Sequence, residues 1–479
     1  MNHKTKIVAT LGPSSEEKSE IETLAKAGMN IARLNFSHGT YDQFKKIVKN
    51  IRSVEAKRGK TENPILILQD LQGPKIRIGK VPSEGIKVKQ GETLLFDVKA
   101  KNYTTHPSKK NPIPLPFAPL AKLLKPGHRL FIEDGLIRTQ IVSIKGSIVS
   151  VKVLTGGLIK SHKGVNIPDS KRPDSLTLTP KDQKDLEFGV KVLKVDAVAL
   201  SFVEDAKDIV EIRKRIQKMN TKPIFLIAKI ERPKALENLE AILKVADGLM
   251  VARGDLGVEI PAEQVPLEQK RIIQACRNAG KPVIVATQIL QSMVENPIAT
   301  RAEISDAATA IFEQTDAYML SNETATGLYP TKAVQTLTRV AETTEKAMEE
   351  NKGLFPSMGR LGDMNGSIED DQMSREAYEL AEEVKADALI IATEEGYTAR
   401  AIVRYRPKTP LIVVSNNADT LRQLHFYWGV KKTVLIKGPL RAEEVRDKLK
   451  SKHLKGLKRI VFVRLGKRKR TLVVMSLGK

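Results

Sequence analysis

The sequence predicts a closed (β/α)8 barrel with an inserted all-β lid domain and a C-terminal α/β domain. Three observations predict it. Eight short apolar runs alternate with helical patterns, the order that closes into a parallel barrel. From about residue 74 to 175 the alternation gives way to short strand-like runs punctuated by Gly and Pro, the mark of an all-β insertion. After a Gly-, Met- and Asp-rich stretch, Asn351–Asp371, a new set of strands begins. The expected divisions are 1–73 and 176–350 for the barrel, 74–175 for the insertion and 351–479 for the last domain.

Taken in order, Ile7–Leu11 reads as the first strand. Ser14-Ser15-Glu16-Glu17 reads as the cap of a helix that Gly28 ends. Met29–Phe36 is the second strand, a basic amphipathic helix follows, and Pro64–Leu71 is the third. The insertion offers strands at Gly85–Lys89, Thr93–Val98, Leu130–Ile132, Ile137–Ile144 and Ile148–Val153. Leaving from the C-terminal end of a barrel strand, it is placed to cover the barrel mouth as a lid. Barrel strands resume at Ala197–Phe202, Ile224–Ile230, Gly248–Val251, Val283–Ala286 and Ala317–Leu320. Between the first two, Ile209, Ile212, Ile216 and Met219 share one helix face. A long helix runs from Val334 past Glu349, and Asn351–Asp371 reads as a linker. The last domain has strands at Ala388–Ala392, Pro410–Val414, Thr433–Ile436 and Arg459–Val463.

Composition excludes several classes. The 479 residues are 41% hydrophobic, ordinary for a soluble protein with a large core. No apolar run is long enough for a membrane span, and the N-terminus lacks a secretory signal. The one cysteine, Cys276, excludes an internal disulfide and suits a reducing compartment. A cytoplasmic address is expected. The net charge is +24, spread along the chain with clusters at Lys452–Arg459 and Lys467–Arg470. Aromatics are only 4%, a poor supply of base-stacking platforms, so a nucleic-acid partner is disfavoured.

Function concentrates at the strand ends. Lys229 and Glu231 are two apart and share a strand face, and Gly254-Asp255 follows the next strand. One ammonium and two carboxylates thus meet at one rim, where like charges repel unless a cation or proton intervenes. The alternatives are Mg²⁺ (or Mn²⁺) shared with a substrate phosphate and a purely structural ion-pair cluster. Arg33, Asn35 and Ser37 alternate along the second strand, Asp70 ends the third, and Arg77 follows it. Arg33 and Arg77 offer planar forks for phosphoryl oxygens. Lys229 suits charge developing on a transferred group, and the Gly254 amide suits a carboxylate. Taken singly, Thr287 and Ser201 read as ordinary strand-end hydroxyls. His38 reads as a loop histidine rather than a metal ligand, Cys276 as structural, and Arg375 and Arg400 as solvated helix residues. No Gly-rich P-loop or kinase catalytic loop is visible, so a nucleotide would be held by the rim and the lid.

The chain resembles the pyruvate kinase family over nearly its whole length. The stretches that carry the resemblance are Thr5–Pro13, Gly28–His38, Gly73–Arg77, Lys163–Asn166, Ala228–Glu231, Arg253–Pro261, Ala286–Gln288, Asn296–Asp306 and Glu323–Ala325. The resemblance implies transfer of a phosphoryl group from phosphoenolpyruvate to ADP, giving pyruvate and ATP, usually in a homotetramer. It implies that Arg33 grips the substrate phosphate and that Lys229 stabilises the transition state. It implies that Glu231 and Asp255 bind Mg²⁺, while Gly254, Asp255 and Thr287 take the substrate carboxylate. Asn35, His38, Arg77 and Lys163 match nucleotide contacts. Asn35, Ser37, Asp70 and Leu71 align with a monovalent-cation site. There the chain departs from potassium-dependent members, with Leu71, Gln72 and Lys75 where those have Thr, Lys and Glu. An ammonium from Lys75 could replace K⁺, so potassium is expected not to be required. Thr393–Arg400 carries two carboxylates where sugar-phosphate-regulated members have a hydroxyl-rich loop, so no activation by fructose 1,6-bisphosphate is expected. Asn322 replaces a usual glycine. The rival readings are a metal-dependent pyruvate or oxaloacetate lyase on a similar barrel, and a basic nucleic-acid-binding protein with a relict site.

Overall fold

The computed structural model describes residues 3–58, 64–104, 111–117, 122–170, 178–219, 222–350, 368–449, 453–466 and 470–477. Eight parallel strands close into the predicted barrel: Lys6–Thr10, Ile31–Asn35, Leu66–Asp70, Ala197–Leu200, Phe225–Ile230, Gly248–Ala252, Val283–Ala286 and Ala317–Leu320. The fourth strand is shorter than predicted because Phe202 is in the left-handed region (φ 57°) and turns the chain off the sheet. The predicted cap at Ser14–Glu17 is corrected. The first helix runs Lys18–Ala27 with Glu17 at its N-cap and no side-chain cap bond. The Ser15 hydroxyl instead donates to the Thr324 carbonyl (2.6 Å), tying the loop after the first strand to that after the eighth.

Inward residues such as Leu66, Ile227, Met250 and Ile284 fill the barrel, and their cluster continues without a break into the C-terminal domain. Phe225 stacks on Phe426 with ring centroids 4.9 Å apart. The last domain therefore plugs the floor of the barrel, opposite the mouth. Its sheet holds four parallel strands, ordered Lys432–Leu435, Leu411–Ser415, Ala388–Ala392 and Arg459–Arg464, and ends in an antiparallel strand, Thr471–Ser476. That last strand is missing from the sequence reading. It is a half-exposed edge, without the buried run or clean alternation of the others.

The lid has its own core, including Val88, Phe96, Leu130, Ile141 and Val151. It contains a seven-stranded sheet whose first strand along the chain is Ile76–Arg77 and whose last is Gly164–Asn166. Those two strands pair, with Gly164 opposite Arg77, so the inbound and outbound connections sit side by side. The linker reading is also corrected. Residues 351–367 lie outside the described residues, but a helix already spans Ile368–Glu383 and takes in Asp371. Of the two basic clusters, Lys452 and Lys467–Lys469 lie outside the described residues, while Arg470 pairs with Asp370 at 2.6 Å. Among the described residues no helix is long and apolar enough to cross a membrane.

Candidate active site

The fifth strand delivers Lys229 to the mouth at its penultimate position, and Glu231 follows one residue beyond. The two-residue period turns both inward. Lys229 Nζ lies 2.8 Å from Glu231 Oε1 and 3.3 Å from Asp70 Oδ1. It also donates to Ser201 Oγ at 2.8 Å, and Ser201 in turn donates to the Leu71 carbonyl at 2.6 Å. Arg33 grips the other Asp70 oxygen through Nε (2.8 Å) and Nη2 (2.7 Å), and gives Nη1 to Thr10 Oγ1 at 2.9 Å. A continuous chain, Thr10–Arg33–Asp70–Lys229–Glu231, therefore crosses the mouth, and all five residues are buried. Ser201, an ordinary hydroxyl to the sequence reader, holds the Lys229 ammonium.

Charge in this chain is unevenly balanced. Burial disfavours the Lys229 ammonium, but Asp70, Glu231 and Asp255 together outweigh burial and raise its pKa, so it stays charged. Burial also works against the Asp70 carboxylate, yet Lys229 and Arg33 prevail and hold it below its usual range. Glu231 has the opposite outcome. Burial, with a further push from Asp255, raises it in spite of Lys229. Its Oε2 accepts the Phe202 N–H at 2.6 Å. Its Oε1 is close to Lys229 but receives no well-aligned hydrogen bond. A buried carboxylate oxygen without a hydrogen bond, with a second carboxylate near enough to raise its pKa, fits a divalent cation. Among the described residues no group of three or more His, Cys, Asp or Glu forms a ready-made cage. Two carboxylates, with water and substrate oxygens completing the shell, are the donor set Mg²⁺ favours.

Asp255 sits in the first turn of helix Arg253–Glu259, after the sixth strand. The Gly254 N–H donates to Thr287 Oγ1 at 2.7 Å. A Cβ on Gly254 would come within 3.2 Å of that oxygen, so glycine permits the approach. Thr287 and Gln288 both have positive φ, 70° and 54°. For a β-branched residue that is a strained conformation, costing of order 1–3 kcal/mol. Arg253 holds it in place. Its Nη2 donates to the carbonyls of Thr287 (2.8 Å) and Gln288 (3.1 Å), while Nη1 meets both Asp306 oxygens at 2.8 Å.

The sequence reading missed Arg253 and Asp306 as functional residues. The only local signal was an arginine directly before Gly254-Asp255; the strain it supports lies 34 residues away. Arg253→Gln is expected to release the Thr287–Gln288 turn. If Thr287 contacts a substrate, the Michaelis constant for that substrate should rise about tenfold or more, the equivalent of one charged hydrogen bond. Steady-state kinetics with each substrate varied in turn checks this. An unchanged constant would show that the turn stands without the arginine.

The remaining candidates are spread more widely. Lys75 Nζ lies 3.6 Å from Asp255 Oδ1, its one ion pair among the described residues, while Asp70 is taken by Arg33 and Lys229. Asn35 Oδ1 accepts the Ser37 N–H at 3.1 Å, which braces the turn after the second strand. His38 is exposed at the rim. What burial it has, and then Arg77, Arg33, Lys75 and Lys181, lower its imidazole pKa. Arg77 donates to the His162 carbonyl at 2.9 Å and Lys163 pairs with Glu133, both contacts within the lid. In the last domain Glu394 pairs with Arg464 at 2.7 Å, and Arg400 is not simply solvated but reaches the Glu395 carbonyl at 3.1 Å. Arg375 pairs with Glu379 on an exposed helix face. Cys276 is buried, and burial pushes its thiol well above the usual value, which keeps it unreactive. Nothing in the structure explains Asn322.

Comparison with known proteins gives a consistent answer. The profile described as "Pyruvate kinase, barrel domain" matches residues 2–334, and "Pyruvate kinase, alpha/beta domain" matches residues 371–476. A pyruvate kinase of Geobacillus stearothermophilus is 41% identical over 433 residues, covering 90% of this chain and 71% of the relative. One from Agrobacterium vitis is 42% identical over 429 residues, 90% of this chain and 86% of the relative. One from Bacillus licheniformis is 42% identical over 430 residues, 89% and 71%.

Proposed function

The chain belongs to the pyruvate kinase family, and we propose that its barrel mouth transfers the phosphoryl group of phosphoenolpyruvate to ADP, giving pyruvate and ATP. The observation that carries this reading is the convergence of Lys229 on Asp70 and Glu231 at the C-terminal rim of the strands, with Asp255 close enough to raise its pKa further. Glu231 and Asp255 would hold Mg²⁺ (or Mn²⁺), which would supply positive charge to offset the negative charge of the reacting group. Arg33 grips the phosphoryl oxygens from the opposite side, its fork already oriented by Asp70. As the group moves in line towards ADP, Arg33 and Lys229 offset the charge spreading over its oxygens. Lys229 then donates to the enolate oxygen left on the three-carbon acid until carbon is protonated. The Gly254 amide and the Thr287 hydroxyl exchange their mutual hydrogen bond for the substrate carboxylate.

Asn35 and His38 on the rim, with Arg77 and Lys163 from the lid, take the nucleotide phosphates, and lid closure excludes water that would otherwise accept the phosphoryl group. The reading includes a homotetramer and a cytoplasmic enzyme. It also includes turnover without potassium, which rests on Leu71, Gln72 and Lys75 standing where potassium-dependent members have other residues; the Lys75 ammonium lies beside Asp255 rather than Asp70. A coupled assay with phosphoenolpyruvate and ADP tests the whole. Turnover is expected with Mg²⁺, none with the metal chelated, and the same rate in NaCl as in KCl at equal ionic strength. No turnover under any condition defeats the reading; a large gain in KCl alone defeats the role of Lys75.

A further inference from the structure

We propose that Arg232 is a positioning residue that fixes the outbound strand of the lid to the barrel and thereby sets the affinity for nucleotide. Arg232 directly follows the carboxylate Glu231 and touches none of the groups assigned to chemistry. Its Nη2 donates to two lid carbonyls, Ile167 at 3.1 Å and Ser170 at 2.8 Å. Its Nη1 binds Glu204, in the loop after the fourth strand. Its Nε lies 3.6 Å from Glu259 Oε2, at the end of the helix after the sixth strand. The other Glu259 oxygen accepts Asn166 Nδ2, from the lid, at 2.9 Å. Segments after three successive barrel strands thus converge on residues 166–170, where the chain leaves the lid.

These contacts are enclosed. The side chains of Arg232 and Glu204 are 12% exposed, and that of Glu259 is 3% exposed. A guanidinium taken out of water needs its donors satisfied; here Glu204 and two carbonyls accept from it, and Glu259 faces its Nε as an opposite charge without a hydrogen bond. The planar fork matters, because one nitrogen spans two carbonyls three residues apart while the others face the carboxylates. Among the described residues no such guanidinium anchors the inbound connection. Gly73 N–H donates to Asp182 at 3.0 Å, and Lys75 faces Asp255 at 3.6 Å across the lid boundary. The outbound segment is therefore the fixed post about which the lid is set.

The lid cations hang from that post. Gly164 pairs in register with Arg77, and Lys163 immediately precedes Gly164. Moving residues 166–170 moves both cations relative to the mouth, while Arg33, Thr287 and Gly254 on the barrel keep their places. The consequence is selective: nucleotide affinity falls and phosphoenolpyruvate affinity does not. The inference rests on the reading of Arg77 and Lys163 as nucleotide contacts.

The test compares the wild type, Arg232→Ala, Arg232→Lys and Asn166→Ala, the last removing a contact from the lid side without touching the fifth strand. Arg232→Ala is expected to raise the KM for ADP about tenfold with the KM for phosphoenolpyruvate unchanged. Amide hydrogen exchange in residues 164–170 should quicken without substrates present. Arg232→Lys keeps the charge but loses the fork, and should recover only part of the loss. Asn166→Ala should shift the ADP constant in the same direction by less. A parallel rise in both KM values, a fall in kcat alone, full recovery with lysine, or unchanged exchange overturns the proposal. Absence of turnover in the wild type defeats the kinase reading instead, while the exchange measurement still reports on the clamp.

Discussion

Lys229→Met is expected to lower kcat by about 10³-fold or more, the scale on which a preorganised donor to developing charge is lost. It should destabilise the protein as well. Methionine fills much of the lysine volume but leaves two buried carboxylates without their shared cation. Asp70 keeps Arg33, whose Nε and Nη2 both reach it. Glu231 keeps only the Phe202 N–H and still feels the negative charge of Asp255. Breaking a buried pair by removing one partner costs about 3–5 kcal/mol. Added Mg²⁺ should return part of that loss, because a divalent ion between Glu231 and Asp255 replaces the missing charge for stability while the donor to the enolate stays absent. Thermal denaturation with Mg²⁺ or with chelator, run beside the coupled assay, separates the two effects. Retained turnover would remove Lys229 from catalysis. A melting temperature indifferent to both the substitution and the metal would remove it from the electrostatic balance.

How much of this was legible in the sequence depended on the distance over which each feature is decided. The barrel strands are local: each is a short apolar run, and each polar end follows from the strand's own period. Lys229 and Glu231 could be paired because they lie two residues apart on one strand. The contact of Lys229 with Asp70 joins residues 159 positions apart and could be expected only once the strands were known to close into a ring. Arg253 and Arg232 escaped for the same reason. Beside distant carboxylates, their partners include backbone carbonyls at Thr287, Gln288, Ile167 and Ser170, and a carbonyl leaves no trace in residue identity. Ser14–Glu17 misled because a serine before a glutamate has more than one use. Here Ser15 satisfies a carbonyl of the loop after the eighth strand rather than a helix terminus. Lys75 was legible as a cation at the rim, but which carboxylate it faces is decided by its stem crossing Gly164 of the lid, where a Cβ would sit 2.9 Å from Lys75 Cε.

The floor of the barrel supports an expectation of equal size that leaves the mouth alone. Asp196, just before the fourth strand, is buried and receives Arg422 through Nε (2.6 Å) and Nη2 (3.0 Å), Lys222 at 2.8 Å, Arg52 at 3.2 Å and the Ile67 N–H at 2.8 Å. Arg422 comes from the C-terminal domain and also pairs with Glu55 at 2.6 Å. Burial works against the Asp196 carboxylate, but Arg422, then Arg52 and Lys222, overcome it and hold its pKa well below the usual 3.8. A depressed carboxylate pKa contributes stability above the unfolded value and loses it as pH falls through the folded one. Asp196→Asn should therefore cost about 3–5 kcal/mol at pH 7, where three cations lose their common anion. The gap between wild type and variant should narrow steadily below about pH 4, as the wild type gives up the same interaction. Urea denaturation at pH 7 and at pH 3 measures both. A cost under about 1 kcal/mol at pH 7, or an equal gap at the two pH values, would mean that the cluster behaves as a solvated surface network. The kcat of the folded variant is expected to stay close to the wild-type value, since Asp196 stands at the opposite end of its strand from Ser201 and the Lys229 ammonium. A stability loss without a catalytic loss here, set against the joint loss on replacing Lys229, would divide the barrel into a floor that holds two domains together and a mouth that performs the transfer.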